Sequence, residues 1–194
     1  MKTRLLPLLM ALVLVLSACT KTPAPDAPDD PAPTAPDVSE VHEPLALETL
    51  SIEFTVGERD ADALLALQKT FPAALTDALA QQSVSVGTVE MTFGVSGAAT
   101  ETALESGAVQ LAFLAAEDYF LYRNGEIVAV EQCEDTDGMR SLLVSGVAEP
   151  RLTEALRAAL PALAEQLAAY TSADAAGVYT YDEAAVAALK AQYE

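Results

Sequence analysis

Two hydrophobic periods alternate along the chain after residue 49. A period of two, with apolar side chains at every second position, predicts strands over Leu50–Val56 and Thr88–Phe93. Between them an apolar residue recurs every three or four positions, which predicts a helix with one apolar stripe. The stripe consists of Leu64, Leu67, Phe71, Leu75 and Leu79. Asp60 is placed to cap the start of this helix, and Pro72 predicts a kink or a break near Thr70.

The alternation continues into a third strand. Ala98–Ser106 has a helix-forming composition and ends at Gly107. Val109–Leu114 is apolar on both faces apart from Gln110, as expected for a strand covered by helices on both sides. Strand, helix, strand, helix, strand in about 65 residues indicates parallel βαβ units. The fold class is therefore α/β, with a mostly parallel sheet and helices on both faces.

The rest of the chain adds strands and helices to the same domain. A turn is predicted at Asn124-Gly125, strands over Glu126–Glu131 and Ser141–Val147, and helices over Glu154–Ala169 and 182–193. Residues 46–194 are enough for one domain with its own core.

The first 18 residues are a targeting segment. Lys2 and Arg4 precede an apolar run, Leu5–Leu16, that is too short to cross a hydrocarbon layer of roughly 30 Å. The sequence Leu-Ser-Ala-Cys that ends at Cys19 resembles a bacterial lipobox. That resemblance implies cleavage before Cys19, lipid attachment to it, and an extracytoplasmic protein anchored to a membrane. The alternative, an ordinary secretory signal, also places the protein outside the cytoplasm.

Composition predicts a tether after the signal and excludes nucleic acid as a partner. Residues 19–45 are rich in Pro, Ala and acidic side chains and have no apolar period, so we expect a disordered, semi-rigid tether. Without Lys2 and Arg4 the chain keeps eight basic residues against 29 acidic ones, a formal charge of −21. Such a charge repels phosphate backbones.

Residues with catalytic or metal-binding chemistry are few. Cys133 is flanked by Glu131, Glu134 and Asp135, which disfavour its thiolate. The single histidine, His42, lies in the predicted tether. We therefore expect no enzyme activity, no cofactor and no metal site.

Several segments together resemble phosphonate-type solute-binding proteins, the extracytoplasmic receptors of ABC importers. The best match is ALESGAVQLAFLAAEDYF, residues 103–120, and the others are LSIEFTVGERDADALLALQKTFPAALTDAL, GMRSLLVSGV, EPRLTEALRAALPALAEQL and GVYTYDEAAVAALKAQY. The resemblance implies a single three-layer lobe of the type II periplasmic-binding-protein-like fold. It also implies capture of a phosphonate- or phosphate-like solute for an ABC permease.

This chain departs from the family in three respects. The strand over Ser141–Val147 leads almost directly into a C-terminal helix, so the second lobe and its serine- and threonine-rich anion grip are missing from the pattern. Gln110 replaces the usual aspartate of the third strand, and Ala115-Ala116 replaces the usual Gly-Pro. The alternative function is a surface lipoprotein that uses the lone lobe as a protein-interaction or structural module, without transport.

A ligand site, if present, is predicted at the carboxyl ends of the first three strands. Its candidate residues are Thr55, Gly57, Ser96, Gly97 and Tyr119, with Thr100 as a further hydroxyl donor. Helix N-termini there suit an anion, whereas Glu58, Glu117 and Asp118 suit an amine-bearing ligand better. The structural alternative is that these are capping and loop residues.

Aromatic residues form a second candidate surface. Loss of a second lobe would leave exposed the surface that it used to contact. The aromatic residues that could form this exposed surface are Tyr119, Phe120, Tyr122, Tyr170, Tyr179 and Tyr181. The alternative is that these rings pack in the core.

Overall fold

The fold is built on one mixed β-sheet with helices on both of its faces. A computed structural model describes residues 43–56, 60–132, 140–168, 170 and 178–194. Its strands are β1 (Leu45–Thr55), β2 (Val84–Gly94), β3 (Leu111–Ala115), β4 (Glu126–Gln132), β5 (Ser141–Ser145) and β6 (Val178–Thr180). Its helices are α1 (Ala61–Ala80), α2 (Gly97–Glu105), α3 (Ala116–Tyr122), α4 (Pro150–Ala168) and α5 (Glu183–Gln192).

The strand order across the sheet is β2-β1-β3-β5-β4-β6. β1 pairs in parallel with β2 and β3, while β5 runs antiparallel to β3 and β4, and β6 antiparallel to β4. Among the strands of the described residues, β1 to β4 therefore point one way and β5 and β6 the other. The predicted α/β class, with strands mostly in one direction, is confirmed.

Helices cover the two faces of the sheet with separate apolar clusters. α1 and α4 pack on one face, around Leu50, Ile52 and Phe54 of β1. α2, α3 and α5 pack on the other, where Leu104 and Phe120 join the apolar side chains of β3, β4 and β5. The predicted three-layer arrangement is therefore confirmed.

Helix α1 is not broken at its proline. It runs from Ala61 to Ala80 through Pro72, and the Asp60 carboxylate caps its start by accepting from Asp62 N at 2.7 Å. Pro72 removes one helical N–H, whose acceptor would be the carbonyl of Gln68, an exposed residue that water can reach. Phe71 is buried on the same helix. The break expected near Thr70 is therefore absent because apolar packing outweighs one lost hydrogen bond.

β1 and β2 begin earlier than predicted because their alternation changes phase. Leu45 and Leu47 pack toward the same core as Leu50, although they differ in parity from it. The shift lies beside Gly87, where an added Cβ would be 2.7 Å from the carbonyl oxygen of Glu48. A period-two pattern read from Leu50 onward therefore misses the start of both strands.

Some predictions fall on residues that the structure does not describe. Cys19, Gly57 and Cys133 lie outside the described ranges, as do most of the tether and the signal segment, so the predictions made for them remain predictions. Among the described helices, none is long and apolar enough to cross a membrane.

Candidate functional site

The carboxyl ends of β1, β2 and β3 form one edge of the lobe. We call this edge the rim and define it as Thr55, Gly94–Gly97 and Ala115–Tyr119. The parallel pairing of β1 with its two neighbours brings these segments together. Four predicted site residues therefore lie on the rim: Thr55, Ser96, Gly97 and Tyr119.

A hydrogen-bond chain runs inward from Thr55 to a carboxylate. Thr55 is 8% exposed, and its Oγ1 lies 3.2 Å from Thr100 Oγ1. Thr100 donates to Glu53 Oε1 at 2.6 Å, and Thr92 donates to Glu53 Oε2 at 3.3 Å. Because each hydroxyl has one proton and that of Thr100 goes to Glu53, Thr55 donates to Thr100. The hydroxyls of Thr100 and Thr92 therefore point toward the Glu53 carboxylate.

Ser96 and Gly97 start helix α2. Ser96 caps the helix by accepting from Ala99 N at 3.3 Å. A Cβ added at Gly97 would lie 2.0 Å from Cγ and from Oδ2 of Asp118. The Asp118 carboxylate of α3 thus occupies the space beside the first turn of α2, where the helix dipole favours a negative charge. The helix N-terminus that would bind an anionic ligand already has a carboxylate of this chain against it.

A second carboxylate is buried one turn further along α2. Glu101 follows Gly97 by four residues and therefore lies on the same side of the helix. It is 1% exposed, and neither of its carboxylate oxygens has a hydrogen-bond partner among the described residues. Burial raises the pKa of Glu101 to about 7. The N–H groups of Asn124, which lie near the carboxylate without meeting hydrogen-bond geometry, lower this pKa, and the negative charge of Asp118 raises it.

The electrostatics of the rim are therefore acidic. Glu53, Asp118 and Glu101 lie on or beside it, and none of them forms an ion pair within the part of the chain that the structure describes. An ion pair lies away from the rim, at the start of β4, where Arg157 Nη2 is 2.9 Å from Glu126 Oε1. No group of three or more His, Cys, Asp or Glu side chains in the described ranges is placed to hold a metal ion. The arrangement suits a single positive charge better than a negative one.

Tyr119 faces the interior. It is 7% exposed, its hydroxyl donates to the carbonyl oxygen of Gly125 at 3.1 Å, and its ring meets Phe120 edge-on at 5.1 Å. Burial raises the pKa of Tyr119, and the neighbouring Glu101 raises it further. Its predicted contact with a ligand remains a prediction, but in this conformation its hydroxyl has a structural partner.

The expectation of an exposed aromatic surface is wrong for most of the rings. Tyr119 and Phe120 are buried, and Tyr170 and Tyr179 are at most 2% exposed. Tyr122 is 47% exposed on α3. Tyr181 is 39% exposed, with the guanidinium carbon of Arg157 3.4 Å from its ring centroid. Tyr170 and Tyr179 pack in the apolar cluster on the α1 face of the sheet, and Tyr119 and Phe120 in the cluster on the other face.

Sequence reasoning missed the part that Tyr170 plays behind the rim. Its single hydroxyl proton is shared between the carbonyl oxygens of Thr55, at 2.9 Å, and Phe113, at 3.2 Å. Its ring lies edge-on to Phe54 at 4.8 Å. The side chain thereby joins the carboxyl ends of β1 and β3 on the α1 face. In the sequence Tyr170 follows an amphipathic helix, and nothing in that pattern predicts a contact with the ends of β1 and β3.

Gln110, which stands where the resemblance leads one to expect aspartate, has a structural contact. Its Oε1 accepts from Ser51 N at 3.0 Å, and its own N–H donates to Ser51 Oγ at 3.1 Å. These bonds join β1 to the start of β3, away from the rim. The side chain therefore supports the sheet.

A cleft of about 470 Å³ lies at the other end of the sheet, by the start of β2. It is lined by Gln82, Ser83, Val84, Arg151, Glu154, Ala155 and Ala158. None of the four predicted site residues that the structure describes lines it. Two of its lining side chains, Arg151 and Glu154, have opposite sign and are three residues apart on α4.

Comparison with known proteins gives little further constraint. No protein-family model matches the sequence, and no curated protein matches it significantly. Among solved structures, the chain is similar to PhnD1 from Prochlorococcus marinus in complex with methylphosphonate, with 15% identity and a TM-score of 0.35. The match covers 45% of this chain and 30% of PhnD1. Because the TM-score is below 0.5, neither the fold nor the ligand of this chain is inferred from that protein.

Proposed function

We propose that this chain is an extracytoplasmic, lipid-anchored binding protein without catalytic activity, serving as the solute-binding component of an ABC importer. The lipobox ending at Cys19 supports the anchor, and the resemblance of residues 103–120 to phosphonate-type receptors supports the solute-binding role. The rim is its ligand site.

The ligand that best fits the rim is a small amine-bearing solute. The observation that carries this is the Asp118 carboxylate placed against Gly97, at the N-terminus of α2. An anion bound there would have to displace that carboxylate or lie beside it.

The acidic surroundings strengthen the preference. Glu53, which accepts from Thr100, extends the negative charge away from Asp118. Two like charges about 4 Å apart near a protein surface repel by about 4 kcal/mol, and opposite charges attract by as much. The electrostatic energy at this rim therefore opposes binding of a phosphonate and favours binding of an ammonium group.

Thermal melting against two ligand sets tests the proposal. One set contains methylphosphonate and phosphate, and the other contains ethanolamine and spermidine. A ligand at 100 times its Kd stabilises the fold by about 2.7 kcal/mol, so we expect saturable rises in melting temperature with the amines. Asp118→Asn should remove the rise, whereas Asp77→Asn, at an exposed position on α1, should keep it.

The outcomes separate the ligand class from the function. Stabilisation by methylphosphonate alone would reject the amine and retain solute binding. No stabilisation by either set at millimolar concentration would reject solute binding at the rim.

The lipid anchor has its own test. Cys19→Ala should move the protein from the membrane fraction to the soluble fraction and abolish the incorporation of labelled fatty acid. Cys133→Ala, the matched control, should leave both unchanged. Fatty-acid incorporation that survives Cys19→Ala would reject the anchor.

A second candidate function is a surface lipoprotein that uses the lobe for protein interaction, without transport. It is favoured because groups of the chain itself already fill the rim: Thr100 donates to Glu53, and the Asp118 carboxylate occupies the space beside Gly97. This function predicts no response to either ligand set, together with a stable protein partner that cross-links to the lobe in intact cells.

A further inference from the structure

The two edges of the sheet differ in a way that points to self-association. β2 and β6 are the edge strands of the described sheet. β6 has three residues, and short edge strands give little backbone for another chain to pair with. β2 has eleven residues and, within the described ranges, pairs with β1 alone. It is the edge with room for another strand.

β2 also lacks the residues that usually protect an edge. Its sequence, VSVGTVEMTFG, contains no Lys, Arg or Pro, and Glu90 is its single charged side chain. Such an edge is a template for further strand pairing. Natural proteins that keep an edge of this length unprotected either cover it or use it.

The side chains of β2 are suited to extension of the sheet. Val89, Met91 and Phe93 are only partly buried, and they pack against the core from one face. Thr88, Glu90 and Thr92 are exposed on the other face. A strand added beside β2 would cover the remaining apolar area of the first set and leave the second set in water.

We propose that β2 pairs with β2 of a second copy of this chain, antiparallel and centred on Met91. In that register Met91 lies opposite Met91 of the other copy, and Val89 lies opposite Phe93. Glu90 lies opposite Thr92, so no carboxylate faces another directly. A register centred on Glu90 would place two carboxylates opposite each other and is excluded. In this register apolar side chains therefore face apolar side chains, and no two carboxylates are directly opposed.

The net charge of the chain makes the stability of this dimer depend on salt concentration. Two chains at −21 each repel one another at long range, and salt screens that repulsion. The dimer fraction should therefore increase with ionic strength, and centrifugation of the same samples at low and high salt measures it.

Cysteine cross-linking tests the register. In residues 19–194 with Cys19→Ser and Cys133→Ser, Met91→Cys places two thiols on the two-fold axis. Opposed residues of an antiparallel pair have Cα atoms about 4.5–5.5 Å apart, which a disulfide spans. Mild oxidation should convert most of this variant into a covalent dimer. Thr88→Cys is the matched control on the same strand, because its symmetry mate would lie about 20 Å away.

Equal cross-linking of the two cysteine variants, or none in either, would overturn the proposal. A second variant measures the equilibrium without a cross-link. Met91→Lys places two positive charges opposite each other and should raise the dimer dissociation constant at least tenfold, whereas Ser85→Lys lies outside the paired segment and should not. The melting temperature of each variant shows whether the lobe is folded, and a dimer unaffected by Met91→Lys in folded protein would also contradict the proposal.

Discussion

The two faces of β1 differ in chemistry and in what they contribute. Toward α1 and α4 the strand presents Leu50, Ile52 and Phe54, each at most 1% exposed. Toward α2 it presents side chains that form hydrogen bonds, among them Glu53 with Thr100 at 2.6 Å. The first face is stabilised by removal of apolar area from water. The second exchanges hydrogen bonds with water for hydrogen bonds within the protein, which gives a much smaller net gain.

The difference shows where a binding function can reside in a small lobe. Substitutions on the apolar face change stability, because close packing tolerates little change in volume. Substitutions on the polar face change a defined set of hydrogen-bond donors and acceptors and lower the free energy of unfolding only modestly. The rim, with its carboxylates and hydroxyls, is the end of that polar face.

The largest effect should come from the apolar face. Phe54 is 0% exposed and stacks on Phe113 with ring centroids 4.3 Å apart. Phe54→Ala should lower the free energy of unfolding by about 3–5 kcal/mol, measured by urea denaturation. Leu65→Ala, at a side chain 51% exposed on α1, should change it by less than about 0.5 kcal/mol. Similar losses from the two variants would mean that the apolar face is not the main source of stability.

The next effect depends on pH and comes from Glu101. Its pKa is about 7 in the fold against 4.5 for an unperturbed glutamate, so the folded state holds this proton more tightly than the unfolded state. The neutral form is therefore the stabilising one, and its contribution is complete below pH 4.5 and lost as pH rises through 7. Glu101→Gln should be more stable than the wild type at pH 8, by on the order of 2 kcal/mol, and equal to it near pH 4.5.

The control for this pH dependence lies on the same helix. Glu105→Gln, at an exposed position of α2, should keep the difference between pH 4.5 and pH 8 that the wild type shows. Melting curves over that range measure both variants. If Glu101→Gln follows the wild type at every pH, the Glu101 carboxylate does not titrate in this range.

Removing the Tyr170 hydroxyl should have a smaller effect. Tyr170→Phe keeps the ring and deletes the donor to the carbonyl oxygens of Thr55 and Phe113. The expected loss is about 1–2 kcal/mol, because buried acceptors lose a partner. Tyr193→Phe, at a side chain 41% exposed, should be nearly neutral. Denaturation midpoints decide, and a neutral Tyr170→Phe would show that the hydroxyl does not hold the two strand ends.

The smallest effect should come from the polar face itself. Thr55→Val keeps the side-chain shape and removes the hydroxyl that lies 3.2 Å from Thr100 Oγ1. We expect a loss of about 1 kcal/mol, against less than about 0.5 kcal/mol for Thr102→Val at an exposed position of α2. A loss as large as that of Phe54→Ala would remove the distinction between the two faces.

Much of the fold could be predicted because long periodic segments depend on their own residues. The stripe of α1, the alternation after Leu50 and the stop at Gly107, which has a φ of +73°, all correspond to the structure. β6 was missed because three residues carry no period, and the strand exists through its pairing with β4. The first residues of β1 and β2 were missed because the change of phase at Glu48 and Gly87 hides them.

The placement of the candidate residues at one edge of the sheet could be predicted, but their contacts could not. Because ligand sites in α/β sheets lie at the carboxyl ends of strands, Thr55, Ser96 and Gly97 were predicted to lie at one edge. The contact between Asp118 and Gly97 could not be read from the sequence, because it depends on how α3 packs against α2. The same holds for Glu101, whose burial follows from that packing.

The Tyr170 contact has a consequence for the folding pathway. Its hydroxyl meets Thr55 across 115 residues of chain, so the contact requires closure of a very long loop, whereas the β1-α1-β2 unit assembles from neighbouring segments. Such a contact should form after the rate-limiting barrier. Tyr170→Phe should then accelerate unfolding while leaving the folding rate nearly unchanged. Stopped-flow measurements over a range of urea concentrations separate the two rates, and a slower folding arm would place this tyrosine in the folding nucleus.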